Sequence, residues 1–170
     1  MNAFSYLVPH DAIGRTGPLT LDADASACAG IAARLGLESV ARFTVEAILE
    51  PVTGGALLRG KFTAKLVQAC AATGLPLAET VTAPFALHFV AAFDLPNEAE
   101  AEVELGNDDL DTMVFEAGGV DVAEAAVQTL ALVLDPFPRH PDADRILKER
   151  GVLSEDQAGP FAALAALKRG

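Results

Sequence analysis

Alternation of apolar and polar positions dominates the first half of the chain. Phe43, Val45, Ala47 and Leu49 alternate with Thr44, Glu46, Ile48 and Glu50, the pattern of a strand with one buried face. Pro51 to Gly55 reads as a turn. A longer strand follows, with Leu58, Gly60, Phe62, Ala64 and Leu66 on one face and Arg59, Lys61, Thr63 and Lys65 on the other. Cys70 to Pro76 reads as a second turn around Gly74. The return strand puts Leu77, Val81, Ala83, Phe85, Leu87 and Phe89 on one face. Pro84 interrupts it, which predicts a bulge or an edge position, because proline donates no ladder hydrogen bond. These segments make an antiparallel meander with one wet face.

Helical spacing flanks the meander. Pro18 to Leu21 reads as a short extended piece, and Asp22 or Asp24 then caps a helix. Cys28, Ile31, Ala32 and Leu35 fall on one stripe, with Arg34 in the last turn and Gly36 as the stop. Further on, Met113, Val114 and Phe115 read as a short strand stopped by Gly118 and Gly119. Asp121 and Glu124 form an Asp-x-x-Glu capping box. The helix behind them holds Ala123, Ala126, Val127, Leu130, Val133 and Leu134. It is apolar almost all round, which predicts a central buried helix, ended by Asp135-Pro136. A short charged helix is expected from Asp144 to Arg150, and Phe161, Leu164 and Leu167 recur at a spacing of three near the C-terminus.

Length and charge narrow the class. The 170 residues suit one domain over residues 1–170. The formal net charge is -12, with no tryptophan and one tyrosine, Tyr6. That is a poor composition for a phosphate clamp or a base-stacking platform. Two cysteines, Cys28 and Cys70, are too few for a disulfide scaffold. Residues Met1 to His10 lack the marks of a signal peptide. No apolar run approaches the roughly 18 residues of a membrane span. A soluble cytoplasmic protein that avoids membranes is expected. Cys28 lies on an apolar stripe and reads as a small core residue.

The charge is unevenly distributed. The stretch between Lys65 and Arg139 contains no Lys or Arg, yet it holds thirteen of the 24 acidic side chains. Positions 1–65 carry six basic and six acidic side chains, and positions 139–170 carry six and five. Asp94 to Asp111, with Asp108, Asp109 and Asp111 at its end, reads as an acidic loop with a flanking strand. Such a block is either a solvated face or a docking surface for a basic partner. The only dense basic patch in the first half is Arg59, Lys61 and Lys65. It either protects a sheet edge or contacts RNA phosphates.

No constellation of catalytic residues stands out. His10, His88 and His140 have no metal-like spacing with another His or Cys, and Cys70 has Thr73 where a second ligand would stand. There is no nucleophile elbow and no P-loop. Gly54-Gly55 and Gly118-Gly119 read as turn glycines. No enzyme activity, cofactor or metal is expected.

Three motifs occur in order: Val67-Gln68-Ala69-Cys70-Ala71-Ala72-Thr73 before an apolar strand; Gly118-Gly119-Val120-Asp121 leading to Leu134-Asp135-Pro136-Phe137-Pro138-Arg139-His140; and Pro160-Phe161-Ala162-Ala163-Leu164-Ala165-Ala166-Leu167-Lys168-Arg169. This order resembles the bacterial YceD family of large ribosomal RNA accumulation proteins, in its alphaproteobacterial branch. The resemblance runs from about Phe43 to the C-terminus, with Cys70, Pro136, Pro138, His140, Pro160 and Phe161 as its marker positions. Many relatives have Cys-x-x-Cys where this chain has Cys70 and Thr73. Many have a further cysteine after the histidine matching His140, where Ala143 or Asp144 stands here. If those cysteines bind zinc in relatives, this chain has lost the site, so metal dependence is not carried over.

The resemblance implies a role in large-subunit biogenesis, through 23S rRNA accumulation or processing, and no known catalysis. With this charge, a basic ribosomal protein or large-subunit precursor is the expected partner, met by Asp108, Asp109 and Asp111. Direct rRNA binding through Arg59, Lys61 and Lys65, helped by Lys168 and Arg169, is the alternative. An interaction module acting through Phe161, Leu164 and Leu167 is a third. The expected fold is α+β: a twisted antiparallel sheet, or one partly closed into a barrel, against the helix after Asp121, with an N-terminal helix and a C-terminal wrapping segment. Strand order and oligomeric state are not legible.

Overall fold

The computed structural model describes residues 4–90, 111–115 and 118–152. In chain order these form β1 (Leu7–Pro9), β2 (Leu19–Asp22), α1 (Ala25–Leu35), β3 (Ser39–Val52), β4 (Gly55–Ala69), β5 (Pro76–Val90), β6 (Asp111–Val114), β7 (Gly119–Asp121), α2 (Val122–Val133) and α3 (Ala143–Glu149). The fold class is α+β. The chain divides into two compact units, residues 1–67 with 78–134 and residues 68–77 with 135–170.

The first unit is built on a five-stranded sheet in the order β2-β3-β4-β5-β6. It is open, which corrects the expectation of a partly closed barrel: closure needs β6 against β2, and neither short edge strand pairs with the other. It is also not wholly antiparallel. β2 and β4 both run antiparallel to β3, whereas β6 pairs parallel with β5, Leu87 opposite Asp111 and Val90 opposite Val114. A parallel partner cannot follow a tight hairpin, and here the whole stretch between Val90 and Asp111 connects the two strands.

Side-chain alternation sets the sheet's two faces. Phe43, Val45, Ala47 and Leu49 of β3 and Leu58, Phe62, Ala64 and Leu66 of β4 are buried. Val40 is buried too, although its parity is opposite to that of Phe43. The cause is a bulge: Val40 pairs with Leu66 and Arg42 with Lys65, so Ala41 is the extra residue. One inserted residue moves every following side chain to the other face. The β3–β4 turn is tighter than the expected Pro51–Gly55. Val52 pairs with Gly55, leaving only Thr53 and Gly54, whose φ of 80° suits glycine.

Gly60 shows why a glycine stands inside a core strand. A Cβ there would lie 2.4 Å from the Glu46 carbonyl oxygen and 2.8 Å from the Phe85 ring. The Phe85 ring occupies that space and stacks on Phe62 at 6.5 Å. Phe62 meets Phe43 at 5.7 Å, and Phe43 meets Phe4 at 5.8 Å. This row of rings runs through the core.

α1 begins at Asp24, whose Oδ1 accepts from Ala27 N at 2.8 Å, and stops at Gly36 with φ 67°. α2 begins at Asp121, whose Oδ1 accepts from Glu124 N at 3.0 Å. This bond is the Asp121 half of the capping box. The Glu124 carboxylate accepts from both terminal nitrogens of Arg34, each at 2.6 Å, and from Gln128 at 2.8 Å. Asp121 also accepts from Tyr6 N at 2.9 Å. Beside it, β7 pairs with β1 in a small antiparallel sheet. Gly119 is required there, since a Cβ would lie 2.0 Å from the Val8 carbonyl oxygen.

α2 is not buried throughout, which corrects the expectation of a central buried helix. Val122, Ala123, Ala125, Ala126, Val127 and Leu130 are buried, but Leu132 is 80% exposed and Val133 46%. Buried residues continue as far as Leu130; an all-round apolar sequence does not mark where its cover ends. Leu134 adopts an extended conformation just ahead of Asp135-Pro136.

Candidate functional site

In the second unit, the turn 70–75 forms because Gly74 adopts φ 71°. Gly74 N donates to Cys70 O at 2.8 Å, and Cys70 N donates to Leu75 O at 2.8 Å. The segment after Leu134 joins this turn at three points. Ala71 N donates to Pro138 O at 2.8 Å, His140 N donates to Cys70 Sγ at 3.2 Å, and Gln68 Nε2 donates to Asp135 O at 3.3 Å. Three of the marker positions, Cys70, Pro138 and His140, therefore meet in space. Pro136 is exposed.

Cys70 is 2% exposed, and its sulfur is surrounded by donors. The Thr73 hydroxyl is the strongest of them, followed by the His140 backbone N–H. Together with the Ala72 and Thr73 backbone amides they lower the thiol pKa to about 7. Cys28 behaves oppositely, because burial pushes its thiol up. His140 turns its ring back on its own chain, with Nδ1 accepting from Asp142 N at 3.1 Å. Thr73 thus fills by hydrogen bonding the place that a second thiol would take. Among the described residues, no group of three or more His, Cys, Asp or Glu is placed to hold a metal ion.

The second candidate surface is the wet face of the first unit's sheet. β4 presents Arg59, Lys61, Thr63 and Lys65 there, and all three cations are exposed. Carboxylates from neighbouring strands interleave with them. Lys61 Nζ lies 2.9 Å from Glu46, its register partner on β3. Arg42, opposite Lys65, pairs with Asp22 of β2 at 3.3 Å. Arg59 lies opposite Ile48. The Thr63 and Thr82 hydroxyls hydrogen-bond at 3.1 Å across β4 and β5. An open depression of about 330 Å³ beside the bulge is lined by Ala41, Lys65, Val67, Ala78, Glu79 and Thr80.

Asp111 opens β6. Asp108, Asp109, Pro160, Phe161, Leu164 and Leu167 lie outside the described residues. Sequence reasoning missed the neutralising role of Asp22 and Glu46. The signal was present for Glu46, which shares a parity with the cations in adjoining alternating strands. The exposure of Leu132 (80%) in the first unit and of Phe137 (77%) in the second was also missed.

No helix of the described residues is long and apolar enough to cross a membrane. No curated protein and no solved structure matches the chain. The family model described as large ribosomal RNA subunit accumulation protein YceD matches residues 58–168, from within β4 through the Cys70 turn, α2 and the Pro138–His140 segment. Well over half of the chain lies in that match, and the three residues that meet at the turn are inside it: the chain belongs to the YceD family.

Proposed function

We propose that this protein supports large-subunit ribosomal RNA accumulation without catalysis, by binding a basic ribosomal protein of the large subunit. Membership of the YceD family ties the chain to large ribosomal RNA accumulation. The observation that carries the partner class is the distribution of charge. All of the net charge of -12 comes from the stretch between Lys65 and Arg139. A surface of one sign steers and selects partners of the other.

The wet face supports this reading over direct rRNA binding. A phosphate track needs successive unneutralised cations. On β4, Lys61 is matched by Glu46, and Arg59 and Lys65 stand roughly 20 Å apart along the strand. The Cys70 turn supports a scaffolding role for the marker residues. Its sulfur accepts hydrogen bonds from two chain segments and so holds them in place.

Mixing the protein with purified large-subunit ribosomal proteins at low and high salt tests the proposal. At least one strongly basic protein should co-elute at low salt and dissociate at high salt. Absence of any salt-sensitive complex across the set would sink it.

A further inference from the structure

Phe137 carries its ring into solvent on a loop that is tied down at both ends. The residue is 77% exposed, whereas every other phenylalanine among the described residues is buried or half-buried. An exposed apolar side chain by itself says little. What sets Phe137 apart is the chain that presents it. Pro136 and Pro138 flank it. Each proline fixes its own φ and keeps the residue before it extended, which restricts Asp135 and Phe137 as well. Phe137 N donates to Asp135 Oδ1 at 2.9 Å and closes an Asx turn. The carbonyls on either side are held by the Cys70 turn. Gln68 Nε2 donates to Asp135 O at 3.3 Å, and Ala71 N donates to Pro138 O at 2.8 Å. A ring displayed on so fixed a backbone has little conformational freedom left to lose on binding.

The charges beside the ring point to the kind of partner. Residues 68–77, which hold the loop, include no Asp, Glu, Lys or Arg. Asp135, two positions before the ring, is exposed. Arg139, two positions after it, places its guanidinium on Asp144. A ring that stacks on nucleobases needs free cations close by for the phosphates. Here the neighbouring cation is matched by a carboxylate, and the exposed charge joined to the Phe137 amide is negative. The loop therefore suits a protein whose apolar socket is rimmed by Lys or Arg.

We propose that Phe137 is the anchor through which the second unit grips a basic protein. Its ring enters an apolar socket on the partner, and Asp135 meets a Lys or Arg at the rim of that socket. The inference rests on the partner class proposed above and adds the residue that holds it.

Phe137→Ala is the direct probe. A ring so exposed buries little area on folding, so the variant should melt with the wild type. Both full-length chains are titrated with purified basic large-subunit ribosomal proteins. The complex should weaken by at least about tenfold in Phe137→Ala, as for an aromatic hot spot. Asp135→Asn keeps an oxygen that accepts from Phe137 N, and should weaken the complex less and only at low salt. In a second arm, a photoreactive phenylalanine analogue is placed at position 137, with the exposed Ile48 as control position. Irradiation should link the partner to position 137 and not to position 48, a result that does not depend on the alanine variant. Equal affinity of wild type and Phe137→Ala would overturn the proposal, and so would cross-linking from position 48 alone. Unchanged low-salt affinity in Asp135→Asn would overturn the basic rim. Loss of a single-stranded rRNA fragment from Phe137→Ala, with the protein complex intact, would make the ring a base-stacking one instead. If no basic ribosomal protein binds the wild type, the underlying partner reading fails and takes the anchor with it.

Discussion

Gly60 and Cys70 each do at one position what a whole pattern could not announce. Gly60 makes room for the Phe85 ring at a point where a Cβ would meet a backbone oxygen at 2.4 Å. Gly60→Val should therefore lower stability by about 1–3 kcal/mol, the usual cost of overpacking, read as a drop in melting temperature. A gain would show that Phe85 does not lie over this glycine. At Cys70, Thr73 and the His140 amide depress the thiol pKa to about 7. A depressed folded-state pKa adds stability above the unfolded value and loses it as pH falls through the folded one. Stability of the wild type relative to Cys70→Ala should thus grow from about pH 7 to about pH 9. Paired denaturation curves across that window check it; parallel pH profiles for the two proteins would contradict it. The sequence showed Cys70 and His140 as marker positions but not their contact, since they lie far apart along the chain and no spacing rule links a sulfur to a distant backbone amide.

Among the elements, the long strands were legible because their alternation persists over many residues. Leu58 to Leu66 kept their parity from sequence to structure. Reading failed where pairing depends on a distant partner. The bulge at Ala41 leaves no mark in composition. β1 and β7 are three residues each and exist only because they pair with one another across most of the chain. The parallel pairing of β6 was hidden for the same reason. α2 was legible in its cap but not in its exposed end, because burial depends on what lies outside the helix. The Arg34–Glu124 pair was likewise invisible, although it links α1 to α2 with two bonds of 2.6 Å. Glu124 is only 13% exposed. Arg34→Ala should cost about 1–2 kcal/mol, a charged hydrogen-bond value discounted for the half-exposed arginine. Chemical denaturation of the variant reads this directly, and an unchanged midpoint would show the pair to be a surface contact of no consequence.

For the whole molecule, the decisive feature is that acidity is concentrated in one stretch of sequence while two cations of the wet sheet face, Lys61 and Arg42, are matched. Lys61 and Arg42 each have a carboxylate partner on a neighbouring strand. The uncompensated charge belongs to the middle of the chain. In a family tied to large ribosomal RNA accumulation, this arrangement is the basis for proposing a basic protein rather than RNA as the partner. On this account, reversing the charges of Arg59, Lys61 and Lys65 to glutamate should leave binding of the ribosomal partner unchanged or slightly stronger. Loss of that complex in the triple variant would move the site to the β4 face. The most direct measurement is affinity capture of the tagged full-length chain from cell lysate, in parallel arms with and without nuclease, followed by a salt wash. The account predicts that one or more basic large-subunit proteins are retained equally in both arms and released by salt. Retention of ribosomal proteins only in the untreated arm, together with rRNA, would contradict it.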